Sequence, residues 1–453
     1  MSLFSSRGVV WSGVLIVLLF LGSAGPVHAQ SNGDGSIYSR FGLGTLQDFS
    51  SSQSQAMGGG AYALRSLNYN AMGNPALWSD QIFTRLSAGV GVQRIAASDG
   101  GNPTSYLSSG QIEAVQFSFP LYDQTLGVGL SFQPYTQRNF RTRKNGRLDL
   151  QVSPPSSSDD GVAEVPYDVS FRGTGGLHRF RGGLGYRVTE FLRVGASADV
   201  VFGIMESKRS TEFGNVPIRD VTTSDRVRLV GVGGTVGAHL ALNNVFQSDD
   251  AFSVGGAVML PTTLNGTRVL TLAEGSPIAS DTLSSVDGDV SLPWRSRFGV
   301  AYQPNARWTF TADGLYEPWS TFTTTFQQGG TFARSFPVGG TGTLTDRWRA
   351  SVGTEVMPAG TDQLAGYLAR VAYRLGAYVE RMYVRPNGTT DLDTYAVTGG
   401  VSLPTSLSGT RIDLNLTAGT RGTTSGSLVK DTFYGVSLHV NFGERWFQER
   451  KLR

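Results

Sequence analysis

The chain has 453 residues, of which 16% are charged, 11% aromatic and 59 are glycine, and it contains no cysteine. That charge density lies well under the roughly 25% of a soluble domain, while so many aromatic residues exclude a disordered chain. With 38 Lys plus Arg against 35 Asp plus Glu the net charge is +3, which excludes a basic nucleic-acid surface, and the lack of cysteine excludes disulfides, thiolate nucleophiles and thiolate metal sites.

Residues 1–29 have the layout of a signal peptide: Arg7, an apolar run from Val14 to Leu21, then Gly25-Pro26 and Val27-His28-Ala29, with cleavage expected after Ala29. The window Gly8 to Gly25 is the only one that stays apolar for the roughly 18 residues a spanning helix needs, so a helical membrane protein is excluded. Residues 30–80 are rich in Ser, Gly, Asn and Gln without strand alternation, and are expected to form a separate N-terminal element. Gln53–Met57 and Tyr69–Met72 are candidate helical turns, interrupted by Gly58-Gly59-Gly60 and ended by Asn74-Pro75.

From residue 81 to 453 the chain alternates. Leu192, Val194, Ala196, Ala198, Val200, Phe202 and Ile204 share one face, with Arg193, Gly195, Ser197, Asp199 and Gly203 on the other. Ile412 to Ala418 and Tyr434 to Phe442 repeat the pattern, which a helix would scatter around its circumference. A soluble sandwich would cover its outside with Lys and Glu. Here the polar faces carry Gly, Ser, Thr, Asn, Asp and Arg, so the apolar faces are assigned to lipid and the sheet to a closed barrel without edges. About fourteen runs are counted, an even number. Arg141 to Asp168 and Arg209 to Ser224 are expected as extracellular loops, and Tyr122-Asp123, Thr189-Glu190 and Pro304-Asn305 as periplasmic turns.

Little in this pattern can carry chemistry. Outside the leader only His178, His239 and His439 are available for acid–base work, and no G-x-S-x-G nucleophile accompanies them. Neither catalysis, a cofactor nor a metal is expected; Asp159-Asp160 and Asp249-Asp250 lack the spaced oxygen ligands of a calcium loop. Glycines such as Gly182, Gly183 and Gly185 sit within strands, where they would let strands bend or a plug approach the wall. Val201, Met205, Leu315 and Phe433 are apolar on an otherwise polar register and, with His439, are candidate lumen or ligand contacts; the alternative is packing against the N-terminal element. Trp294, Trp308, Tyr316 and Trp319 are candidates for an interfacial girdle.

Several stretches resemble the FadL-like transporters of long-chain fatty acids and aromatic hydrocarbons in Gram-negative outer membranes. Asn74-Pro75-Ala76, just before the first strand, resembles the hatch signature of that family. Ile37 to Gly44, Ala56 to Gly59, Leu292 to Tyr302, Trp308 to Asp313, Pro318 to Ser320 and the end from Gly419 to Phe447 are similar as well. The resemblance implies a fourteen-stranded barrel plugged by residues 30–80. It implies passive diffusion of a hydrophobic small molecule, released in characterised members through a lateral gap, without an energy source. Outer-membrane lipid and, during biogenesis, the barrel-assembly machinery are the implied partners, and the chain is expected to be a monomer. The alternative is an interaction barrel serving protein secretion or surface-protein attachment without transport, marked by an unusually large exposed apolar or aromatic loop surface together with a lumen too full to admit a chain. A hydrophilic porin would instead show an open charged constriction.

Overall fold

The computed structural model describes residues 35–122, 124–151, 162–214, 219–275, 280–326, 335–407 and 409–444; the expected leader, 1–29, lies outside them. A closed antiparallel barrel of fourteen strands forms the wall. The strands are β1 (Thr84–Ser98), β2 (Ser105–Tyr122), β3 (Leu126–Pro134 and Phe140–Gln151), β4 (Val162–Arg187), β5 (Leu192–Phe213), β6 (Val221–Asn243) and β7 (Ala251–Met259 and Thr262–Glu274). They continue with β8 (Ser280–Leu292 and Arg295–Asn305), β9 (Trp308–Glu317), β10 (Arg347–Val356), β11 (Ala372–Arg381), β12 (Asp393–Pro404), β13 (Arg411–Arg421) and β14 (Lys430–Glu444). Neighbours in sequence pair with each other, and β14 closes the ring on β1 from Thr84↔Glu444 to Ser98↔Lys430. No helix among the described residues is long and apolar enough to cross a membrane.

The direction of the side chains decides the solvent. On β14, Tyr434 is 60% exposed while the alternating Ser437, His439 and Asn441 are 5%, 1% and 3% exposed. Apolar residues outside and polar residues inside invert a soluble sheet and match a barrel set in hydrocarbon, the architecture of an outer-membrane protein.

β4, β5 and β6 run for 26, 22 and 23 residues, more than twice the roughly 10 that cross the hydrocarbon. Of the stretches expected as loops at Arg141–Asp168 and Arg209–Ser224, the parts 141–151, 162–168, 209–213 and 221–224 are therefore strand, while 152–161 and 215–218 lie outside the described residues. Their sequence looks polar because, beyond the lipid, the outer face meets water. Alternation continues nonetheless: Val165 and Val169 are buried, and Arg143 and Arg147 pair outside with Asp168 and Glu164. One seam of the wall is unzipped. β3 breaks after Pro134, which has no N–H to continue a ladder, and Thr136–Gln137 turns inward to pair with Thr45–Leu46. Beyond the break Phe140–Gln151 pairs only with β4, while β2 meets β3 only from Val115 to Tyr122. Ser105–Ala114 therefore has a wall neighbour on one side only.

Candidate functional site: the barrel interior

Residues 35–80 form no wall strand. They hold a short helix α1 (Ser52–Ala56) and two 3-10 turns, Ile37–Arg40 and Pro75–Asp80. α1 is closed at its start by a reciprocal capping box between Ser51 and Ser54, as expected near Gln53–Met57. Tyr69–Met72 forms no helix. Side chains from almost every wall strand hold this segment.

Its last turn rests on glycine. Gly127, Gly185, Gly195 and Gly237 stand directly opposite one another across β3, β4, β5 and β6. An added Cβ at Gly185 would lie 2.5 Å from the Pro75 carbonyl oxygen, and one at nearby Gly129 2.5 Å from the Trp78 ring. Only a row without side chains lets the Pro75–Asp80 backbone lie this close to the wall. The Asn74 side chain accepts from the Ala76 N–H at 3.0 Å and donates to the Tyr62 and Ala238 carbonyls at 3.2 and 3.1 Å, joining cap, segment and wall. Pro75 sits at the first position of the turn, where its missing N–H leaves nothing unpaired. At the end of the turn Asp80 takes Arg193 at 2.7 Å and Arg65 at 2.8 Å.

Elsewhere the segment is held by charge. Inward-facing arginines recur two apart, as Arg179 and Arg181, Arg295 and Arg297, and Arg347 and Arg349, because the strand period of two returns every second side chain to the lumen. Arg297 reaches Asp48 at 2.7 Å, with Arg295 at 3.9 Å. Burial alone would raise the Asp48 pKa, but Arg297, Arg295 and Arg347 together hold its carboxyl well below the usual carboxylate range. Asp313 accepts the backbone N–H groups of Ala61 and Tyr62 at 2.8 and 2.9 Å, and Arg349 donates to the Gly58 carbonyl at 2.6 Å. Arg181 grips Asp199 and also donates to the Met72 carbonyl at 2.9 Å. Burial pushes Tyr69 up to about 12, keeping it a neutral donor to Asp413 at 3.0 Å, while Arg374 donates to its oxygen at 2.6 Å.

The five candidate contacts all point inward, but the structure does not bring them to one place. Val201 and Met205 join a dry cluster with Tyr38 and Leu43 of the N-terminal segment, Tyr135 of the β3 break, and Phe322, Phe326 and Phe336 beyond β9. Phe433 packs with Ile95 and Ala396 in a separate cluster. Leu315 is 3% exposed and belongs to neither. His439 stacks on Phe49 at 5.2 Å and meets Gln55 at 3.0 Å and Glu113 at 2.7 Å. His239 lies 2.9 Å from the Ala63 carbonyl, whereas His178 faces outward in mid-strand. Of the expected girdle, Trp294 and Trp308 are exposed, but Trp319 is fully buried: its ring lies 4.4 Å from Tyr383 and its N–H bonds Glu317 at 2.6 Å. An interior cavity of about 210 Å³ beside the unzipped seam is lined by polar groups including Gln93, Gln111, Glu113, Arg349, Glu380 and Asn415. The inward arginines were the residues sequence reasoning passed over, and their two-apart spacing was the available signal.

The model of the BamG family matches residues 12–453. No curated protein matches the chain. Among solved structures, a Pseudomonas aeruginosa FadL homologue is similar at a TM-score of 0.56 and 14% identity, covering 90% of this chain and 100% of its own. The CymD monoaromatic hydrocarbon channel (0.52, 16%, 90% and 100%) and the Ralstonia pickettii toluene transporter TbuX (0.51, 19%, 88% and 99%) are similar in the same way. The fold is thus that of the FadL-like hydrocarbon channels.

Proposed function

The chain belongs to the BamG family, and we propose that it works as a sealed outer-membrane barrel. In this reading residues 35–80 are a fixed plug, no molecule crosses the bore, and the protein serves the secretion or surface attachment of other proteins through contacts at its exposed faces. The observation that carries this reading is the lock made by the ion pairs of Asp48 with Arg297 and of Asp80 with Arg193, together with the hydrogen bonds from Ala61 to Asp313 and from Tyr69 to Asp413. Stripping one partner from a buried pair costs about 3–5 kcal/mol, so a route through these pairs would be opened only at a cost of several such steps. The greasy patch anticipated from Val201 and Met205 is filled by aromatic residues and by the segment itself, and the cavity beside the unzipped seam is lined largely by polar groups. Proteoliposomes with the intact protein are expected to show no single-channel conductance and no faster entry of labelled fatty acid or toluene than protein-free vesicles; faster entry overturns the reading. Gentle extraction should yield a complex larger than one chain.

A second reading is favoured by the unzipped seam between β2 and β3 and by the shared fold: passive diffusion of a fatty acid or an aromatic hydrocarbon. The cargo would then displace the aromatic cluster and leave sideways, gaining about 0.8 kcal/mol for each CH2 kept from water. The same uptake measurement, with mass spectrometry of co-purified lipid or hydrocarbon, separates the two.

A further inference from the structure

Outward-facing cations are concentrated on one quarter of the wall. Arg141, Arg172 and Lys208 stand directly opposite one another across β3, β4 and β5. Arg226 and Arg228 continue the row on β6, one and two steps nearer the membrane: Glu206 faces Arg226 and Ile204 faces Arg228. All five are exposed. The acids within one step of this row are few and already engaged, and the exposed Glu212, opposite Asp168 on β5, lies two steps further out. Glu206 is shared by Ser224 at 2.6 Å, Arg226 at 3.4 Å and Lys208 at 3.5 Å. Asp168 and Glu164 lie further out and are taken by Arg143 and Arg147, while Asp287, beside the row on β8, accepts from Thr267 at 2.7 Å. Among the described residues Arg141, Arg172 and Arg228 have no ion-pair partner.

Directly below the row the wall turns apolar. Phe132, Phe202 and Val230 are 38%, 38% and 50% exposed, and the rings of Phe132, His178 and Phe202 form one outward cluster with centroids 5.5 to 6.4 Å apart. The row lies on the side away from the short turns at Thr189–Phe191 and Asn244–Asp250, hence at the extracellular edge of the lipid-facing band. The outer faces of β12 and β13, by contrast, carry Tyr395, Val397, Leu414 and Leu416. Unpaired guanidinium groups above, aromatic rings below and placement at the outer leaflet together fit one kind of molecule, whose headgroup carries phosphate and whose tails are hydrocarbon.

We propose that the outer wall of β3–β6 binds the phosphates of a phosphorylated glycolipid of the outer leaflet, held by Arg141, Arg172 and Arg228 with its acyl chains against Phe132, Phe202 and Val230. The inference rests on the outer-membrane barrel and is independent of whether the bore transports anything. The test uses the whole protein in mild detergent, with bisphosphorylated lipid A as probe and bound lipid counted by native mass spectrometry. The triple variant Arg141→Ala, Arg172→Ala, Arg228→Ala should lose about a hundredfold in affinity, at roughly fivefold per cation near an anionic surface. The double variant Arg143→Ala, Arg147→Ala, whose arginines already have acid partners, should lose far less. Dephosphorylated lipid A should bind as weakly to the parent protein as bisphosphorylated lipid A binds to the triple variant, and millimolar inorganic phosphate should leave bound lipid in place. Equal retention by the triple variant with an intact heat-modifiable barrel, indifference to the phosphates, or displacement by free phosphate would each overturn the proposal.

Discussion

The N-terminal segment is fixed to the wall in two unlike ways. At Asn74–Ser79 it lies on a row of glycines, where contact is steric and close, before Asp80 pairs with Arg193 and Arg65. At Asp48–Tyr62 it is held by arginines and by Asp313, beside a polar cavity. The first anchorage fixes where the backbone can lie and tolerates no added atom. The second tolerates small shifts but not an unbalanced charge. A barrel that positions a segment by shape at one end and by charge at the other constrains it over its whole length.

Unbalancing the charged end should have the largest effect. Asp48→Ala leaves Arg297 buried without its carboxylate, while Arg295 keeps Glu317, and a loss of about 3–5 kcal/mol is expected in urea unfolding followed by heat-modifiable gel mobility. The same carboxyl sets a pH dependence. Its folded pKa lies below its unfolded value of about 4, so its contribution is complete above that pH and is lost as the pH falls through the acid range towards the folded value. Between pH 4 and 2 the parent protein should lose melting temperature more steeply than Asp48→Asn, which carries no titrating group there; parallel slopes would contradict the lock.

Crowding the steric end comes next. Gly129→Ala puts a methyl 2.5 Å from the Trp78 ring, and about 1–3 kcal/mol is expected from the overlap. Gly101→Ala, at an exposed position where a Cβ meets nothing within 4 Å, should change little by the same assay.

The two anchorages were unequally legible in the sequence. Alternation exposes the wall because one substituent per two residues must suit lipid, and the count of fourteen runs follows from it. The break at Asn74-Pro75 was visible because proline restricts the residue before it. The register of Gly127, Gly185, Gly195 and Gly237 was not, since it depends on pairings between strands up to 110 positions apart. Asp48–Arg297 joins positions 249 apart, and nothing local marks Asp48 as buried. Leu315 and Phe433 are buried on the inward register, which is a local property, but what they meet there depends on the rest of the fold.

The smallest effect should come from the join between the two anchorages, at Asn74 and Pro75. Pro75 sits at the first position of its turn, so Pro75→Ala removes no hydrogen bond and leaves the glycine seat unobstructed. Its cost arises from the greater freedom of the unfolded chain, about 0.4–1 kcal/mol. Asn74→Ala differs in kind: it removes an acceptor for the Ala76 N–H and a donor to the Tyr62 and Ala238 carbonyls, and a lost cap alone costs about 1 kcal/mol. If the segment is held as a unit, Asn74→Ala should also speed amide exchange at Ala61 and Tyr62, on the charged side of the join, whereas Pro75→Ala should not. Equal exchange at those amides in both variants would mean that the steric and charged anchorages act independently.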